Sequence, residues 1–170
     1  MGVLMVVSTV ACGDGSYSEE ERAKASVAIY ATVTRQIVEF DNTFGPDYRF
    51  TEVLVLDRVV FDAADYMTEG SPGDALTDEQ RSAIAAAIED LSPVTFVSNR
   101  SDFIQQEVLM PVIPGSAIVT LAPVEFDGAG ATVGVNLWCG GTCGIWLTYR
   151  VTKAEDGWTV TGTEGDMAIS

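Results

Sequence analysis

The stretch Ala131–Thr152, ATVGVNLWCGGTCGIWLTYRVT, decides the fold. Side chains alternate between faces along a strand. One alternating set is Val133, Val135, Leu137 and Cys139, continued by Cys143, Ile145, Leu147, Tyr149 and Val151, all apolar or thiol. The other set is Thr132, Gly134, Asn136 and Trp138, continued by Gly144, Trp146, Thr148, Arg150 and Thr152. A β-hairpin that pairs Leu137 with Ile145 gathers the first set on one buried face. A two-residue Gly140-Gly141 loop would mix the sets. A one-residue slip turns every side chain over, so the unmixed register is favoured. It places Cys139 opposite Cys143 at a Cα spacing of about 4.5–5.5 Å, inside the roughly 4.4–6.8 Å that a disulfide spans. The reading therefore predicts a Cys139–Cys143 disulfide. The tip is either a three-residue loop, with Thr142 where a left-handed residue is wanted, or a five-residue loop in the same register. Asp156-Gly157 is a second hairpin signal; closing it pairs Glu155 with Trp158 and Lys153 with Val160, and adds Trp158 and Val160 to the apolar face.

Working outward, Ser18-Glu19-Glu20-Glu21 is a capping box with acids in the first turn. Ala23, Val27, Tyr30, Thr34, Ile37 and Val38 follow at helical spacing and predict a helix from about Glu19 to Phe40. Thr51–Phe61 is almost continuously apolar and reads as a strand buried on both faces, bent near Asp57-Arg58. Asp62–Ala75 reads as a long loop; its acids Asp62, Asp65, Glu69 and Asp74 lack the D-x-D-x-D-G spacing of a calcium loop. Thr77-Asp78-Glu79-Gln80 is a second capping box, opening a short helix with Ile84, Ala87, Ile88 and Leu91. Val94–Val97 is a short strand, 103–114 is irregular, Ala117–Leu121 begins the sheet, and 159–169 completes it. The expected fold is α+β, two helices packed on a four- to five-stranded antiparallel meander. Residues 1–11 form a signal-like apolar segment, 12–18 a tether and 19–170 a single domain.

With 170 residues and 47% hydrophobic content the chain has room for a real core. Its net charge of −16, from 9 basic and 25 acidic residues, opposes binding to nucleic acid or anionic membrane surfaces. There is no histidine, which removes the usual general base, the commonest metal ligand and the Ser-His-Asp and Cys-His systems. Three cysteines without histidine do not make a zinc site, and Cys139-Gly-Gly-Thr-Cys143 is one residue longer than a C-x-x-C redox motif. No metal or cofactor is assigned.

Met1–Ala11 is apolar, too short to span a bilayer as a helix, and ends in small residues like the apolar region of a signal peptide. Val10-Ala11-Cys12 resembles the end of a bacterial lipoprotein signal, in which the cysteine receives the lipid. The resemblance implies export, a chain beginning at Cys12 and an anchor on the outer surface of the cell membrane, with plain secretion as the alternative. Ile29-Tyr30-Ala31, Asp41-Asn42-Thr43-Phe44-Gly45, Val53–Asp57, Leu91-Ser92-Pro93, Cys139–Gly144, Trp146–Tyr149 and Trp158–Thr163 together resemble a family of exported actinobacterial proteins with a C-G-G-x-C-G hairpin. That resemblance implies export and brings no mechanism.

Two functions follow. A non-enzymatic envelope lipoprotein, with a binding or structural role, would use the second face of the hairpin. There Asn136, Trp138, Trp146 and Arg150, with Thr148, place two tryptophans inside a polar rim suited to a sugar or peptide, unless the first helix covers them. A small exported or cytoplasmic enzyme would need a closed pocket holding a carboxylate such as Asp57 or Glu125.

Overall fold

Val53–Leu56 is buried at all four positions, and a strand buried on both faces needs cover on both sides. The computed structural model, which describes residues 17–128 and 130–170, supplies that cover in three layers. The expected leader 1–11, the lipidation candidate Cys12 and most of the expected tether lie outside the described residues. In chain order the elements are α1 (Glu19–Glu39), β1 (Val53–Leu56), β2 (Arg58–Phe61), β3 (Ser71–Ala75), α2 (Asp78–Ile88), β4 (Val94–Val97), a 3-10 turn (Arg100–Phe103), β5 (Ile104–Gln105), β6 (Met110–Pro111), β7 (Ala117–Leu121), β8 (Glu125–Asp127), β9 (Gly130–Gly140), β10 (Cys143–Ala154) and β11 (Gly157–Ile169).

The main sheet runs β11-β10-β9-β7-β1-β4, with β8 beside β9. The α+β class stands, but the expected antiparallel meander is corrected to a mixed sheet: β1 pairs in parallel with both β4 and β7, while β7, β9, β10 and β11 pair antiparallel. Parallel neighbours need long crossovers. The first carries β2, β3 and α2, and the second carries the 3-10 turn and the β5–β6 hairpin. Near-continuous apolar runs mark strands covered on both faces, the usual setting of parallel pairing; β1 and β7 are the two such runs here.

One face of the sheet carries α1 and α2. Ile29, Val33 and Ile37 of α1 and Ile84 and Ile88 of α2 pack with Val53, Val55, Val135, Leu137, Ile145, Leu147 and Tyr149. Each fully buried Ile, Leu or Val contributes about 1.5–3 kcal/mol relative to exposure. Both capping boxes form, Ser18 with Glu21 and Thr77 with Gln80. The buried stripe of α1 is Ala25, Ile29, Tyr30, Val33, Thr34, Ile37 and Val38; of the expected positions, Ala23 is exposed and Val27 only half-buried. The opposite face carries Leu54, Leu56, Ile118 and Trp138, covered by Val60, Ala63, Phe103, Ile104 and Ile113 from the crossovers.

Several local readings are corrected. Part of 62–75 is a strand: β3 pairs with β2 despite Pro72 and Gly73. Proline is tolerated on a sheet edge, and a Cβ on Gly73 would lie 2.8 Å from Val59 Cγ2. The 103–114 segment likewise holds the β5–β6 pair. At the main hairpin Leu137 faces Ile145 and Asn136 faces Trp146 as expected, but the tip differs: Gly140 pairs with Cys143 around a Gly141-Thr142 turn, and Cys139 is the extra residue of a bulge. The bulge moves the positive φ to Gly140 (149°), where it is tolerated, instead of to β-branched Thr142. The disulfide Cys139–Cys143 is present, with Cα atoms 5.0 Å apart. In the next hairpin Lys153 faces Trp158 and Val151 faces Val160, two residues from the expected register. A two-residue slip keeps the face, so Trp158 and Val160 still pack on the helix-side core.

Candidate functional site

The second face of the β9–β10 hairpin is covered, and the cover is not α1, which lies on the other side of the sheet. Trp138 is 6% exposed and sits beneath Arg100, whose guanidinium carbon is 5.5 Å from the ring centre. Burial pulls the Arg100 guanidinium below its usual range, with Glu69 opposing the shift. Asn136 is buried, donating from Nδ2 to the Ile145 carbonyl at 3.3 Å. Its Oδ1 and the cross-strand Thr120 Oγ1 accept no protein hydrogen bond. Trp146 is half-buried, with the Tyr66 ring at 5.9 Å in an edge arrangement. Arg150 is held by Asp127 and, at 3.4 Å, by Glu164; the Asp127 contact raises its pKa. The two tryptophans thus belong to a packed layer, and the arginine to an ion-pair network.

One row along the same face the cover opens. Thr132, Gly134 and Thr148 floor a groove of about 720 Å³, within the range of small-molecule and peptide sites. One wall is the segment Phe61–Met67, folded over the sheet from the end of β2; the other is Glu164–Ala168 of the edge strand β11, with Ala122, Pro123 and Glu125 closing the end. A Cβ on Gly134 would meet those of Ala64 and Ala122 at 3.2 and 3.1 Å, so the glycine lets the covering segment approach the sheet. Asp62 turns the chain into that segment at a positive φ of 60°, and Asp65 Oδ1 accepts from the Met67 amide at 2.8 Å. The chemistry of the groove is mixed: Asp62, Asp65, Glu125, Glu164 and Asp166 bring carboxylates, no lysine or arginine is among its lining residues, and Tyr66, Met67 and Met167 are well exposed at its rim.

The enzyme candidates separate. Glu125 lines the groove. Asp57 does not; it sits where the chain leaves β1 for β2. It accepts from Ser98 Oγ at 2.6 Å and Arg58 Nε at 3.2 Å, and the Ser98 bond, followed by Arg58, holds its carboxyl below the ordinary range. A carboxylate held ionised in this way is a poor general base, which needs a pKa near the working pH. Among the described residues no three His, Cys, Asp or Glu side chains gather in a metal-binding geometry, and no helix is long and apolar enough to cross a membrane.

Sequence reasoning named Thr148 and the acidic loop but did not join them. The overlooked signal was glycine: Gly134 and Gly144 punctuate a strand face of large or polar residues, and glycine inside a strand marks close approach of other chain segments. Comparison of the chain with protein-family models, curated protein sequences and solved structures gives no match.

Proposed function

We propose that the chain is an exported envelope protein, held by a lipid on Cys12, that binds a cationic, partly apolar partner in the groove between Phe61–Met67 and β11. The observation that carries the binding reading is the lining itself: five carboxylates, of which Glu164 alone also contacts Arg150, and no basic side chain among the lining residues, with a tyrosine and two methionines at the rim. Charge complementarity favours a lysine- or arginine-bearing peptide with interleaved apolar residues, and the net charge of −16 extends the attraction beyond the groove. Export is supported by the Cys139–Cys143 disulfide, a bond that persists in oxidising compartments, together with the Val10-Ala11-Cys12 signal.

Titration calorimetry at low salt, with an alternating Lys-Leu peptide and its Glu-Leu counterpart, tests the groove. The basic peptide is expected to bind, to weaken as salt rises, and to weaken several-fold against the Asp65→Asn/Asp166→Asn double variant. Equal binding of both peptides, no binding, or an unaffected double variant refutes the reading. Intact mass of the native membrane fraction tests the anchor: the expected species begins at Cys12 and carries acyl mass, and an unmodified soluble chain overturns the anchor alone.

A further inference from the structure

The two cysteines at the hairpin tip have unequal surroundings. Cys143 is 7% exposed, whereas Cys139 is only half-buried. Thr43 Oγ1 lies 3.2 Å from Cys143 Sγ; a disulfide sulfur carries no hydrogen, so the hydroxyl is the donor. The turn after α1 holds Thr43 in place. Asn42 Nδ2 donates to the Val38 carbonyl at 2.8 Å and the Gly45 carbonyl at 3.1 Å, and Asn42 Oδ1 accepts from the Phe44 amide at 2.9 Å. From the opposite layer the Leu109 carbonyl accepts from the Gly141 amide at 2.7 Å. This contact joins the turn after α1 to the hairpin tip, Thr43 to Cys143.

We propose that Cys139 is a site of thiol modification, with Cys143 as the leaving sulfur and Thr43 as the residue that positions and stabilises it. Attack is favoured at the sulfur of the more exposed cysteine, Cys139, and exchange is faster when the departing thiolate is the more stable. An external small thiolate forms a bond to Cys139 Sγ. The Cys139–Cys143 bond breaks, and its electron pair leaves on Cys143 Sγ, which accepts the Thr43 hydrogen bond and then takes a proton from water. A second external thiol attacks the adduct, releasing reduced Cys139 and an external disulfide: two small thiols are oxidised and one protein disulfide is reduced. Return of the Cys143 thiolate onto the adduct recloses the bond and expels the modifier.

The test exposes the folded, oxidised chain briefly to 2-mercaptoethanol, quenches with acid, alkylates the remaining thiols and locates the adduct by fragmentation mass spectrometry. The expected result is the mercaptoethanol adduct on Cys139 and the alkyl group on Cys143, in about tenfold or greater excess over the reverse. Thr43→Val is expected to slow second-order reduction by about three- to tenfold, and Thr43→Ser to restore it. A threonine that only braced the tip would act oppositely, since loosening speeds reduction. An adduct on Cys143 or divided evenly overturns the proposal, as does a Thr43→Val chain reduced at the wild-type rate or faster. If Thr43→Val fails to fold, the position of the adduct on the wild-type chain still decides.

Discussion

Gly144→Ala tests whether the second face of the hairpin is packed. A Cβ on Gly144 would lie 2.5 Å from Trp146 Cη2, 2.6 Å from Cζ3 and 3.0 Å from Ser170 Oγ. Carbon atoms rest at about 3.5–4.0 Å, so the indole must withdraw by about 1 Å. Its ring meets Tyr66 edge-on at 5.9 Å and packs on the cluster around Trp138 and Ala63, contacts that such a withdrawal disturbs. Ser170, the other neighbour, is paired with Gly144 through N–H···O bonds in both directions, at 3.0 and 3.3 Å, so the end of β11 would shift too. Overpacking of this kind costs about 1–3 kcal/mol. For a chain of this size about 2 kcal/mol lowers the melting temperature by about 4–8 °C. Thermal unfolding followed by circular dichroism reads the shift, and tryptophan emission reads the displaced ring. In the Gly144→Ala/Trp146→Leu double variant the glycine change should become nearly silent, because the clashing partner is gone. An unchanged melting temperature for Gly144→Ala, with unchanged emission, would refute the packed face.

Three further outcomes are expected. Tyr30, pushed up to about 12 by burial, and Tyr149, raised further by burial and by its 2.7 Å hydrogen bond to Asp41 Oδ2, should both stay protonated in the native chain at pH about 11. Their stabilising effect is full below the unfolded tyrosine value and is lost as pH rises through the folded one, so their phenolate absorbance should appear together with alkaline unfolding. Asp57 behaves in the opposite sense: its depressed carboxyl stabilises the fold above the ordinary carboxylate range and loses that effect as pH falls through the folded value, so Asp57→Asn should flatten the acid limb of the melting curve below about pH 4. Removing the cross-link in a Cys139→Ser/Cys143→Ser variant should cost about 2 kcal/mol by the loop-entropy relation for so short a loop, measured by urea unfolding.

The parts legible in the sequence are those set by local periodicity and local capping. The single buried face from Val133 to Val151 follows from alternation alone, and the Ser18/Glu21 and Thr77/Gln80 boxes follow from four-residue patterns. What escaped was decided between distant segments. Nothing within Val53–Leu56 says that its neighbours are Val94–Val97 and Ala117–Val119, both parallel to it; its continuous apolar character said only that both faces are covered. The β10–β11 register was missed by two residues because a shift of two leaves the buried set unchanged. The groove was hidden for the same reason as the parallel pairing. Its floor, Thr132, Gly134 and Thr148, and one wall, Glu164–Ala168, are neighbours through consecutive hairpins, but the other wall, Phe61–Met67, is laid over them only by the crossover that follows β1.

The charge of the molecule and the groove bear on each other through salt. Of the nine basic residues, Arg35, Arg58, Arg81 and Arg150 are in ion pairs with acids, and Arg100 lies over Trp138. Among the described residues most carboxylates therefore have no cation in ion-pair contact, and their mutual repulsion opposes the compact state. Added salt screens that repulsion, with a Debye length of about 8 Å at physiological ionic strength, and so raises the stability of the chain alone. The same screening weakens attraction between the groove and a cationic partner. Stability and affinity should therefore move in opposite directions as salt rises. A partner held by apolar contact alone gives only the first trend, whereas a merely acidic surface gives both, because its attraction for a cation is spread over the whole molecule and is screened too. The Asp65→Asn/Asp166→Asn change separates the cases: it alters the net charge of −16 by only two, so it should weaken affinity and its salt dependence several-fold only where the partner's cations meet the groove carboxylates, while the salt dependence of stability stays nearly as it was.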